Sequence, residues 1–150
     1  MKKILSLLIF VSGLFFSGQS QADNLLMART SLSFPEAMLK LQDSIHEQGY
    51  TVSRIQRVDI GLTKSGYRTD KYRVVFFGEA KLVKRLSNDY PQLIPYLPFK
   101  IAIFAEGEET LLIASNPHEL TRNVYPELES TMQKVEKDML AIFKSMRDDE

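Results

Sequence analysis

The chain has no cysteine. That removes disulfides, thiolate metal sites, iron–sulfur clusters and cysteine nucleophiles together, so its stability has to come from packing. A lipid anchor carried on a cysteine is excluded for the same reason. Histidine is scarce, with His46 and His118 the only two. His46 is expected at the surface in the last turn of a first helix, where a partial positive charge suits the dipole, and His118 in the exposed first turn of a later one. Neither has a neighbour at ligand spacing, so no metal and no cofactor is expected. An excess of positive charge is missing too. With 19 basic and 19 acidic side chains, the chain is near neutral and a poor candidate for nucleic-acid binding, which depends on clustered positive charge to displace counterions. No Gly-x-Ser-x-Gly elbow, Ser-x-x-Lys pair, His-Glu-x-x-His or phosphate-binding glycine loop occurs, and no catalytic residue is identified.

What is there begins with a leader. Met1-Lys2-Lys3 is a basic head, Ile4 to Phe16 an apolar core, and Ser20-Gln21-Ala22 a small-x-small cleavage site, which together predict a signal peptide over residues 1–22. Ser6, Ser12 and Gly13 interrupt the apolar run, which is shorter than the roughly 20 residues of a bilayer crossing. No stable membrane span is therefore expected after cleavage. The protein is expected to be exported, to the periplasm of a Gram-negative cell or secreted otherwise. Lys2 and Lys3 leave with the leader, so residues 23–150 carry a formal charge of −2. Their length suits one domain around one core.

The local signals agree best over Tyr90 to Ser115. Pro91, Pro95 and Pro98 oppose a helix and bias the residues before them toward extended backbone. Phe99 to Ala105 and Thr110 to Ser115 then read as strands joined at Gly107, which supplies the positive φ of a tight turn, and this hairpin is expected at the centre of a sheet. Leu25 to Leu32 reads as a first strand. Ser33-Phe34-Pro35-Glu36 has the form of a capping box, opening a helix whose apolar residues recur at helical spacing until Gly49. Tyr50 to Ile60 reads as a half-exposed strand, Gly61 to Gly66 as a loop, Tyr72 to Phe77 as a denser strand and Glu79 to Asn88 as a short helix. Asn116-Pro117 opens another short helix, and Pro126 the longest, with Leu128, Met132, Val135, Met139, Ile142 and Met146 in one stripe.

This order, β-α-β-β-α-β-β-α, predicts an α+β two-layer sandwich: a mostly antiparallel sheet of about five strands with helices on one face. The first strand–helix–strand unit leaves room for one parallel pair.

Phe76-Phe77-Gly78, the helix after it, Leu97-Pro98 leading into the Phe99 strand and Asn116-Pro117 after the hairpin resemble the domain-of-unknown-function 302 family over about residues 24–120. The resemblance implies a compact α+β domain, often dimeric, and no reaction. Many relatives carry cysteines where this chain has Phe99 and Gly78, so no thiol or soft-metal role carries over.

Several clusters are candidates for function. Phe76, Phe77, Tyr90, Tyr96, Phe99 and Phe104 could line a small apolar pocket beside the proline-rich segment, or the phenylalanines could be core with the tyrosines at its rim. Lys81, Lys84 and Arg85, joined by Arg73 if it points the same way, form the one concentrated basic patch, either a solvated helix face or a site for an anion or acidic partner. Glu106, Glu108 and Glu109 fall on a turn and read as solvation. Asp59 or Asp70 beside Arg57 or Arg68 would be needed for an acid–base site. The terminal stripe either covers the sheet or forms a dimer seam. The expected function is a non-catalytic binding or interaction module with an unknown small molecule or envelope protein as partner; the alternative is a homodimeric structural or accessory protein without a ligand.

Overall fold

The computed structural model describes residues 24–147, so the leader and its cleavage site lie outside the described residues. Strands β1 (Leu25–Thr30), β2 (Thr51–Arg57), β3 (Tyr72–Gly78), β4 (Phe99–Glu106) and β5 (Glu109–Ser115) form one sheet in the order β1-β5-β4-β3-β2. Every pairing is antiparallel. The parallel pair that the first unit allowed is not formed, because β1 and β2 sit at opposite edges. Helix α1 (Phe34–Glu47) bridges them, touching β2, β4 and β5. At about 1.5 Å per residue it reaches about 21 Å, close to the roughly 19 Å between the outer strands of a sheet this wide.

The start of α1 is set locally. The Ser33 backbone N–H donates to the Glu36 carboxylate at 3.1 Å, and the Ser33 hydroxyl donates to the same group. The hairpin is as local. Gly107 has φ +61° and is the first of two residues between the Glu106–Glu109 pair, while no non-glycine among the described residues has positive φ. That is the type II′ pattern, whose twist matches the flanking strands.

Helix α2 (Val58–Lys64) replaces the end of the expected second strand and the loop after it. It buries no residue. The segment Pro91–Tyr96 is a short 3-10 helix where extended backbone was expected. Proline's fixed φ is as compatible with a 3-10 turn as with an extended chain, and the extended geometry begins only at Leu97. The remaining helices are α3 (Ala80–Asp89), α4 (Pro117–Thr121) and α5 (Glu129–Met146), the last preceded by a 3-10 turn at Pro126–Leu128.

Alternation decides the two faces of the sheet. Leu26, Ala28, Val75, Phe77, Phe99, Ile101, Ile103, Leu112 and Ala114 point one way and are buried. Leu41 and Ile45 of α1 and Met132, Val135, Met139, Ile142 and Met146 of α5 meet them in the same core. The α5 stripe therefore covers the sheet, which removes the dimer-seam reading of that helix. Among the described residues, no helix is long and apolar enough to cross a membrane.

Candidate functional site

The six aromatic residues of the expected pocket are not brought to one place. Phe77 is fully buried and packs edge-on against Tyr50 and tilted against Phe99, with centroids 5.5 and 6.1 Å apart. Phe76 and Phe104 lie one residue out of phase with these and project from the other face of the sheet, where Tyr72 meets Phe104 at 5.9 Å. Tyr90 stacks edge-on with Tyr125. Only Tyr96 and Phe99 share a crevice, with Leu93 and Leu97 on one side, Pro117, Leu120 and Thr121 of α4 on the other, and Met132 and Met139 of α5 beneath. It holds about 40 Å³, room for a water or two and far less than the several hundred Å³ of a ligand pocket.

The basic patch is also divided. Lys81, Lys84 and Arg85 are exposed on α3, and Arg85 reaches Thr131 of α5 at 3.4 Å. Arg73 lies at the far end of β3, where it pairs with Asp59 of α2 and covers the Phe34 ring. The hydrogen bond from Arg73 holds the Asp59 carboxyl below the ordinary carboxylate range, outweighing the opposing effect of its burial. A general acid needs the opposite shift. Asp59 and Asp70 share a surface cleft with Lys64 and Lys71, and Asp59 is engaged by Arg73 rather than by Arg57 or Arg68.

The uncovered face of the sheet carries Leu25, Met27, Phe76, Ala102, Phe104 and Ile113, all half-exposed or exposed. Arg29, Arg54, Gln56 and Lys100 surround them on the same face. Arg29 crosses Leu111 to reach Glu106 at 3.0 Å, so the turn carboxylates have a partner as well as solvent. No helix among the described residues packs over this face.

One cluster went unread in the sequence. His118 is not an exposed first-turn residue: its side chain is only 14% accessible. Its Nε2 lies 2.8 Å from Glu129 Oε1 and its Nδ1 3.1 Å from Glu136 Oε2. Asn116, which caps α4 by accepting from the His118 and Glu119 N–H groups, donates through its side chain to Glu136. Glu119 is held by Arg122 at 3.1 Å. Burial opposes a charge on His118, but the Glu129 hydrogen bond and the charges of Glu129, Glu136 and Glu119 outweigh it and raise its pKa. Ligand-type atoms of His118, Glu119 and Glu136 lie within 4.8 Å of one another, yet each of these side chains already has a partner within the protein. The carboxylates are 11 and 18 positions beyond His118, so no short motif announced them. His46 is exposed, as expected.

The family model "Domain of unknown function DUF302" matches residues 27–146. A crystal structure titled as an uncharacterized conserved protein DUF302 from Bacillus stearothermophilus superposes with a TM-score of 0.75 at 20% identity, covering 84% of this chain and 100% of that one. At that identity the likeness concerns the fold alone. No curated protein matches the chain. The match over most of the sequence, carried on the five-stranded antiparallel sheet described above, places the chain in the DUF302 family, whose function is unknown.

Proposed function

We propose that this protein is an exported, non-catalytic interaction module that works through the uncovered face of its sheet, with a second copy of itself as partner. The observation that carries this reading is the composition of that face: Met27, Ile113, Ala102 and Val74 form an apolar row across β1, β5, β4 and β3, flanked by Phe76 and Phe104, with Arg29 on the β1 edge, Arg54 and Gln56 along the β2 edge and Lys100 near one end of β4. An apolar centre with a polar rim is the anatomy of a protein interface. Five strands about 4.8 Å apart and about six residues long give roughly 500 Å² per partner, at the lower limit for a specific contact. A two-fold pair of such faces is self-complementary, and the near-zero net charge adds little repulsion.

The test is native mass spectrometry and sedimentation of residues 23–150 with a Phe104→Glu variant. A dimer dissociating at roughly micromolar concentration, and a variant that stays monomeric while keeping its circular dichroism, is the expected result. A wild-type monomer at high concentration would end the second-copy reading. A mass excess lost on denaturation would favour a retained ligand instead.

A further inference from the structure

We propose that the crevice beneath α4 is the closed form of a site for a small apolar ligand, with His118 as the latch that keeps α4 down. Helix α4 has five residues, too few to persist without tertiary support. Its Pro117, Leu120 and Thr121 make one wall of the crevice, and Met132 and Met139 of α5 make the floor. Moving α4 is therefore what would enlarge it. The space as it stands, about 40 Å³, admits nothing larger than water.

Two side chains tie this end of α4 to α5: the Asn116 cap, whose amide donates to Glu136 and does not titrate, and His118, which does. Both ring nitrogens face carboxylate oxygens, Glu129 at 2.8 Å and Glu136 at 3.1 Å. Both contacts attract only when both nitrogens carry hydrogen, because a neutral imidazole has one donor and one acceptor. Losing one proton sets a lone pair against a carboxylate. The other charged groups near the ring are Glu119 and Arg122 on the α4 side, which pair with each other. None of them replaces the lost proton on the ring.

The sign follows from the direction of the shift. A pKa raised in the folded state gives a contribution fully present below the ordinary histidine value and lost as pH rises through the folded one. The crevice is thus closed in acid and opens in mild alkali. Its walls are mostly aliphatic, thioether and aromatic, with Lys100, Ser115 and Thr121 the polar members, of which Lys100 and Thr121 already donate to the Pro95 and Pro117 carbonyls; they suit a short hydrocarbon chain or a single uncharged ring.

The experiment is a titration of residues 23–150 with toluene, a single uncharged ring, at pH 5.5 and 8.5, followed by NMR of methyl-labelled methionines. Binding about fivefold tighter at pH 8.5 is expected, the ratio suited to one part-exposed ion pair. The Met132 and Met139 methyl signals should move, and Met27, on the sheet face, should not. His118→Gln should bind equally at both pH values, with unchanged circular dichroism. In the wild type, the His118 ring resonances should titrate with the same midpoint as binding. Equal wild-type affinity at the two pH values, no binding at pH 8.5, a response at Met27 alone, or a pH dependence that survives in His118→Gln would each overturn the proposal.

Discussion

At the scale of single residues, the tightest positions are those where one atom has no room or one proton has a fixed partner. A Cβ on Gly78 would lie 2.7 Å from Val83 Cγ2. Valine is β-branched and cannot swing that methyl away freely. Gly78→Ala is expected to destabilise by about 1–3 kcal/mol, an overpacking cost, read as a lower urea midpoint at unchanged slope. Asp59 offers a pH test. Its carboxyl is depressed by Arg73, so its contribution is present above the ordinary carboxylate pKa and is lost as pH falls through the folded value. Asp59→Asn should flatten the loss of stability of the wild type below about pH 4, measured by denaturant unfolding at successive pH values. Tyr50 shows how a side chain can be half core and half polar. Its ring packs on Phe77 while its hydroxyl donates to Asp138 at 2.8 Å, and burial followed by that bond pushes its pKa far above the usual value.

At the scale of elements, α5 is the clearest case of a local pattern whose purpose depends on what lies opposite. Val135, Met139 and Ile142 are at most 1% accessible. Ile142→Ala should cost about 2–5 kcal/mol, and the cost should not change with protein concentration, because the cavity forms inside the subunit. Helix α4 depends on its cap. Asn116→Ala removes both the acceptor for two N–H groups and the donor to Glu136. A loss of about 1–2 kcal/mol is expected from chemical denaturation. Strand β1 shows the period of two at work. Leu26 is 7% accessible, whereas Met27 beside it is 43% accessible on the other face. Met27→Lys should leave the melting temperature within about a degree or two, as surface changes do, while weakening self-association in sedimentation. Leu26→Ala should do the reverse.

For the whole molecule, the helical layer uses one face of the sheet and no helix among the described residues covers the other, and this asymmetry carries the functional proposal. The aromatic residues that the sequence grouped by proximity were divided by the pleat: Phe77 and Phe99 went to the core, Phe76 and Phe104 to the open face. Neighbours in sequence become opposites in a strand, so a cluster in the chain need not become a cluster in space. Arg73 and the α3 cations were separated in a similar way, by the length of β3.

The features legible in the sequence were those decided within a few residues. Gly107 set the hairpin turn because only glycine takes that φ without strain, Glu36 answered Ser33 within one helical turn, and the α5 stripe followed from the helical repeat. These sufficed for the α+β class and the antiparallel hairpin, whereas the family was read from the resemblance carried on Phe76-Phe77-Gly78, Leu97-Pro98 and Asn116-Pro117. Tertiary structure alone decided that β1 pairs with β5 rather than with β2, that α5 covers the sheet, and that His118 meets Glu129 and Glu136. The physical reason is the range of the interactions. Turns and caps are chosen by local sterics and hydrogen bonds, whereas strand order, the covered face and the partner of a half-buried histidine are chosen by how apolar surface is removed from water across the whole chain.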